Sequence, residues 1–409
     1  MGNFVRVCDV EHVTTPAPTC LSLIIMIESR SDVGSRGRWR LALAVLPVLV
    51  SCSDKTTEPS TSSATLTRSA GPAPVFIVEP SVVTIPTYDG SGQAVHPDVV
   101  EFDSEWHGSK YWLTMTPYPQ SDQKFENPSI LVSDNGVDVA VPETLKNPVI
   151  APPKNSRDYN SDPELLYEAQ TDRLVLFYRF VDKKTNTIRL SVSRDGSTWT
   201  AMRSPFWERS HNAVSPTIAP GDGQSARMWY VVAGKSGCET KSTRVVSRVA
   251  TDPTGRIVDT KWSEPVVTDL EIPGYTIWHI KSRWIAAKQE YWMVISAFPK
   301  NGDGCHTDDL FFAKSADGLH WTIYSEPIVR HEDREWTASA VYRSSFLYDA
   351  NTDVLSLWIS ARGSDGAWHL GFARARYDQL ESKLVAGQRV APRPTATFTA
   401  TTSKQGEQP

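Results

Sequence analysis

Five short runs dense in aromatic and β-branched residues punctuate the chain: KYWLTMT from Lys110, RLVLFYRF from Arg173, RMWYVV from Arg227, EYWMVISAFP from Glu290 and VLSLWISAR from Val354. Runs of this length and composition read as strands. With Trp112, Phe177, Trp229, Trp292 and Trp358 taken as equivalent, the steps between them are 65, 52, 63 and 66 residues. Before each run lies a segment that mixes polar with apolar residues: HPDVVEF from His96, SDPELLY from Ser161, VSPTIAP from Val214, IWHIKSR from Ile277 and SAVYRSS from Ser339. After several comes a strand ending in one turn formula, SDNGVDV at Ser133, SRDGSTW at Ser193 and SADGLHW at Ser315. Asn-Gly and Asp-Gly supply the positive φ of tight hairpins, and the Trp that follows can pack between neighbouring sheets. A repeat of this length, built of short strands and turns, predicts an all-β fold: a five-bladed β-propeller of four-stranded antiparallel blades. The blades fall at about 95–142, 160–205, 213–267, 275–329 and 337–390.

The ends of the chain do not share the pattern. Residues 36–52 read RGRWRLALAVLPVLVSC, a basic head, a short apolar run and then Leu-Val-Ser-Cys. The apolar part falls short of the about 20 residues that span a bilayer, so the segment reads as a signal peptide. LVSC resembles the lipobox of bacterial lipoproteins, which implies lipidation of Cys52 and an exported, membrane-anchored protein. Met26 is a plausible start, since the residues before it lie outside the signal pattern. Residues 53–72 are rich in Ser, Thr and Pro and lack large apolar side chains, as a flexible tether does. The propeller is expected over 73–391, with a disordered tail over 392–409. In an exported protein Cys238 and Cys305, placed alike after the aromatic strands of adjacent blades, are expected to form a disulfide. With 42 Lys and Arg against 47 Asp and Glu, the net charge of −5 offers no basic surface for nucleic acid. A monomer is expected.

The polar residues of the first strands carry the candidate chemistry. Residues i and i+2 of a strand share a face. Aligning the prolines of HPD, DPE and SPT makes His96, Asp162 and Ser215 equivalent, and likewise Asp98, Glu164 and Thr217. Matching positions on the innermost strands border the axial funnel, where a ligand binds. No HExxH or CxxC spacing occurs, so no metal ligands are assigned and no cofactor is expected. An axial calcium would leave no sequence signature. Most of the 14 Trp fit packing between blades, whereas Trp278 and Trp336 stand outside the repeat and could face a sugar.

These features together resemble the five-bladed propellers of glycoside hydrolases, the arabinanase-like family 43 and its relatives in families 32 and 68. The resemblance rests on the five blades, Asp162-Pro163, the HPD at His96 and the SxDGxxW turns, over about residues 90–380. It implies a carboxylate base on blade one, an orienting Asp on blade two and a proton-donating Glu on blade three. Asp98 is then the expected base and Asp162 the orienting acid. Blade three shows Ser215 where the donor is expected, and serine cannot donate that proton. Glu126, after the YPQSDQKF loop of blade one, is the first substitute, followed by Glu164 and Glu335. His96, Glu164, Ser215, Trp278, His279, Glu335, Trp336 and Arg343 form the expected glycan-binding set. Two readings stay open: a surface-anchored glycosidase acting on oligo- or polysaccharide, or a glycan-binding or scaffolding lipoprotein that has lost the blade-three acid.

Overall fold

The computed structural model of the protein describes residues 76–383 apart from 183–185, 204–212, 222–223, 234–236, 253–255, 303, 305 and 325. Cys52, the signal and tether segments and the tail after residue 392 lie outside the described residues. Five antiparallel sheets follow one another along the chain. Blade two shows the plan, with strands Tyr159–Glu168, Arg173–Val181, Asn186–Ser193 and Thr200–Met202 paired in sequence order. Blades three and four repeat it from Ala213–Gly221 and Tyr275–Ile285. Blade one pairs Ala94–Trp106, Ser109–Pro117 and Ser129–Ser133, and a bridge between Val132 and Ala140 stands where its fourth strand would be.

Blade five differs from the sequence expectation at its outer edge. Inner strands Ala340–Val341 and Ser345–Asp349 both pair with Val354–Arg362, which pairs with Trp368–Arg376. The outermost strand then comes from the start of the domain, where Phe76–Val83 pairs with Trp368–Arg376. The polar segment after Arg376 forms the helix Tyr377–Lys383 instead of another strand. One sheet thus joins both ends of the domain.

The second strands are buried on both faces, because each blade is covered by a neighbour on either side. Trp292, Met293, Val294 and Ile295 are consecutive and all at most 1% exposed, so alternation gives way to a continuous apolar run. The turns of the repeat lock blade to blade. Asp317 Oδ1 accepts the backbone N–H groups of Leu319 and His320, each at 2.8 Å. The turn carbonyl of Gly318 accepts from Trp229 Nε1 of the preceding blade at 2.8 Å, and that of Gly136 accepts from Trp358 Nε1 at 2.7 Å. Gly196 has φ 73° and lies so near the Trp112 ring that a Cβ would sit 2.0 Å from it. Glycine is thus required there both by backbone conformation and by close approach. Cys238 is disulfide-bonded, and its carbonyl accepts from Gly304 N at 2.6 Å, while Cys305 lies outside the described residues.

Candidate functional site

The first strands are not regular. His96, Asp162 and Ser215 have φ of 57°, 49° and 51°, and the strand register shifts across each of them. Positive φ at a non-glycine residue costs about 1–3 kcal/mol and persists only where surroundings enforce it. Each of these residues precedes a proline, which normally holds its predecessor extended. The register shift turns these side chains toward the axis, and the residues two positions on face it again. Blade four supplies His279 and Lys281 across a similar shift, and blade five supplies Tyr342 and Arg343 at the break in its inner strand. Two layers of side chains result.

One layer is sealed. Lys281 Nζ lies 2.9 Å from Asp98 Oδ2 and 2.8 Å from Glu164 Oε1, with all three side chains 0% exposed. Asp98 Oδ1 also accepts from Val99 N, Ser345 Oγ and Arg283 Nη2, and its Oδ2 from Leu165 N. Arg343 donates to Glu164 Oε2 at 2.9 Å and to the carbonyls of Pro163 and Pro216 at 2.7 and 3.1 Å. Burial pushes the Asp98 carboxyl up, but Lys281 and Arg283 outweigh it and hold it below the usual range. Every oxygen of Asp98 is thus committed to a donor, which leaves it nothing with which to accept a proton from substrate or water. The expected base therefore lies in an ionic floor with Glu164 and Arg343, not in the funnel.

The other layer is less completely paired. His96 Nε2 stands 3.3 Å from Asp162 Oδ1, and His279 Nδ1 stands 3.5 Å from the same oxygen. Asp162 Oδ2 pairs with Arg179 Nη1 at 2.9 Å, and Arg179 Nη2 donates to Tyr159 Oη at 3.0 Å. His96 Nδ1 is 3.0 Å from Thr116 Oγ1, and His279 Nδ1 is 2.5 Å from Ser215 Oγ. Glu126 Oε1 lies 3.6 Å from His96 Nδ1. Burial lowers His96 to about 3 and His279 well below its ordinary value, so both imidazoles are neutral. Burial also pushes Asp162 up, yet the Arg179 guanidinium paired with it leaves it well below the carboxylate range. Glu126 moves the opposite way, raised by burial and by Asp162 against the opposing pull of Arg179. The partly exposed Tyr118, Tyr159, Arg179 and Tyr342 border this layer. Ser215 is no triad nucleophile, because it and Asp162 approach the same nitrogen of His279, whereas a relay needs opposite nitrogens.

These residues fit a divalent cation. One donor atom from each of His96, Asp162 and His279 lies within 4.8 Å of the others. His96 Nε2, His279 Nε2 and Asp162 Oδ1 are buried without a hydrogen-bond partner. Buried polar atoms are normally satisfied, so three such atoms in one cluster point to a shared ligand. Two neutral imidazoles and a carboxylate suit zinc or manganese, and the hydroxyls of Thr116 and Ser215 on the Nδ1 atoms hold the rings with Nε2 free. The sequence reading assigned no metal because the donors come from blades one, two and four, with no short spacing to betray them. Arg179, Tyr342 and Lys281 were also missed as members of the two layers, although aligning IWHIKSR and SAVYRSS with HPDVVEF places the last two.

The remaining expected residues lie apart. Glu335 is exposed in the short helix Glu335–Thr337, and its carbonyl, not its carboxylate, is engaged. Trp336 packs against blade five, where Gly371 leaves room for its ring. Trp278 is buried beneath Gly304, with Nε1 donating to Tyr342 Oη at 3.4 Å.

No protein-family model matches the chain. Over 323 residues it is 26% identical to the A type blood N-acetyl-alpha-D-galactosamine deacetylase of Flavonifractor plautii, covering 67% of this chain and 40% of that protein. The chain thus spans less than half the length of that curated relative. Among solved structures it is similar to an N-acetylgalactosamine deacetylase from F. plautii in complex with blood group B trisaccharide, with a TM-score of 0.68 and 22% identity. That match covers 75% of this chain and 97% of the other. It is also similar to a thermostable family-43 glycoside hydrolase, with a TM-score of 0.50 and 16% identity over 69% of this chain and 89% of the other. The structural neighbours are five-bladed propellers of the glycoside-hydrolase type, as the sequence resemblance implied.

Proposed function

We propose that the protein acts on glycans by removing the acetyl group from an N-acetylated amino sugar, as a cation-dependent amide hydrolase. The observation that carries this reading is the cluster of three unsatisfied donor atoms on His96, Asp162 and His279. The name of the F. plautii relative supports it. Two features weigh against glycosidic cleavage: Asp98 is enclosed, and Ser215 stands where an acid is required. His96, Asp162 and His279 would hold the cation, which would supply Lewis acidity to the site. Glu126, beside His96, carries the proton: it takes one from the attacking water and passes it to the departing nitrogen. Water oxygen joins the carbonyl carbon, the carbon–nitrogen bond breaks, and acetate and a free amino sugar leave. Arg179 keeps Asp162 ionised and fixes its second oxygen.

The test is a panel of N-acetylated sugars, assayed for acetate and for reducing ends, before and after chelation and with zinc or manganese restored. Acetate that disappears on chelation and returns with the metal supports the reading; reducing ends insensitive to chelation refute it. That second outcome is the mark of a glycosidase, which one observation favours: Glu126 and Asp162 share a layer with their pKa values driven apart, as an acid and its partner carboxylate are. Binding without either product marks a glycan-binding module. We also propose export and lipidation at Cys52, on the strength of the LVSC motif. Cys52→Ser is then expected to free the protein from the membrane fraction on centrifugation.

A further inference from the structure

We propose that Tyr342 is a further catalytic residue, whose phenolic hydroxyl donates to the acetamide carbonyl oxygen as that oxygen becomes negative. The inference rests on the amide-hydrolase reading above. Tyr342 occupies in blade five the place that His96, Asp162, Ser215 and His279 occupy in the others. Its ring centroid lies 4.1 Å from that of His279 and 5.3 Å from that of His96, so it flanks the donor cluster on the blade-five side. Trp278 Nε1 donates to Tyr342 Oη at 3.4 Å. An oxygen that accepts there has its own proton left to give, and the residue is partly exposed.

The competing donors are placed differently. Arg179 has both terminal nitrogens engaged, by Asp162 and by Tyr159. Tyr118 has its ring contact with Trp368 at 5.4 Å, not with either histidine. Tyr159 accepts from Arg179 on the blade-two side and so keeps its own proton, but it makes no ring contact with either histidine. In the step assigned to Tyr342, water oxygen bonds to the carbonyl carbon and the π pair moves onto the carbonyl oxygen. The hydroxyl stabilises that charge without losing its proton. When the pair returns, the carbon–nitrogen bond breaks and the nitrogen departs with the proton carried by Glu126.

Tyr342→Phe keeps the ring and deletes only the hydroxyl. Acetate release by the zinc- or manganese-loaded protein is compared for wild type, Tyr342→Phe, Tyr159→Phe and Tyr118→Phe, and titration calorimetry measures affinity for the metal alone. The expected result for Tyr342→Phe is a kcat lower by about 10²–10³-fold, with KM and metal affinity changed by no more than about twofold. Tyr159→Phe and Tyr118→Phe are expected to lose less than about tenfold. A Tyr342→Phe protein within about threefold of wild type overturns the inference, as does an equal loss in Tyr159→Phe or a fall in metal affinity that accounts for the rate. If wild type itself releases no acetate from any N-acetylated sugar, the amide-hydrolase reading fails and this inference with it.

Discussion

The same five strands build two layers that share an address and differ in almost everything else. His96 and Asp98, Asp162 and Glu164, and His279 and Lys281 are pairs two residues apart, facing one axis. In the floor, opposite charges meet within 3 Å and every carboxylate oxygen of Asp98 has a donor. In the layer beside it, three polar atoms have none. Burial is similar in both, since Asp98, Glu164, Lys281, His96, Asp162 and His279 are all at most 2% exposed. Satisfaction, not depth, separates structure from chemistry here. A buried charge that is fully paired contributes to holding the fold in one state, whereas a buried cluster left unsatisfied is poised for a ligand.

The comparison is broken most sharply at Asp162. Asp162→Asn is expected to weaken metal binding strongly in calorimetry and to lower acetate release by more than about 10³-fold, while the melting temperature changes little, because asparagine keeps the shape, can still accept from Arg179 and tolerates the φ of 49°. Glu126→Gln is expected to lower kcat by about 10²–10⁴-fold with metal affinity retained, which separates proton transfer from cation binding in the same layer. The floor answers differently. Lys281→Met leaves Asp98 and Glu164 facing each other, and a loss of about 3–5 kcal/mol in denaturant unfolding is expected. Full stability in that variant would show that the floor is not what holds the strained strands.

The smallest effect lies outside both layers. Asp195 accepts backbone N–H groups of Ser197 and Thr198 at 2.8 and 2.7 Å, and although burial pushes its carboxyl up, these bonds bring it down to about 2. A depressed carboxylate contributes stability that is full above its unfolded pKa of about 4 and is lost as pH falls through the folded one. Asn135 accepts the same two bonds in blade one, so Asp195→Asn is expected to be neutral at pH 7 and to flatten the stability profile between about pH 4 and 2.

Repetition made the blades legible. Aromatic runs and Asp-Gly turns recur because each blade solves one packing problem in the same way, and the prolines of HPD, DPE and SPT mark where the inner strands bend. What repetition cannot convey is which of two axis-facing residues meets solvent. That depends on Lys281, 183 residues from Asp98, and on Arg343, 179 residues from Glu164, neither of which repeats. Asp98 looked like a base for this reason: its face was legible and its partners were not. The cation cluster was hidden in the same way, its members contributed singly by three blades. The closing strand Phe76–Val83 went unread because it precedes the first aromatic run and belongs to the last.

That closing strand has a kinetic consequence. Ser81 pairs with Phe372, so the hydrogen bonds that join the ring form between residues at opposite ends of the domain. Each blade can assemble from neighbouring segments, but this seam must wait for the whole chain, and long-range pairing of strands is the slow step in folding all-β topologies. Until it forms, Trp368–Arg376 presents an unpaired edge, and Phe76–Val83 carries Ile77 and Val82 that stay 51% and 49% exposed even when paired. An open edge beside exposed apolar residues invites a strand from another chain. The interval between the last blade and the seam is therefore when this protein is most exposed to aggregation.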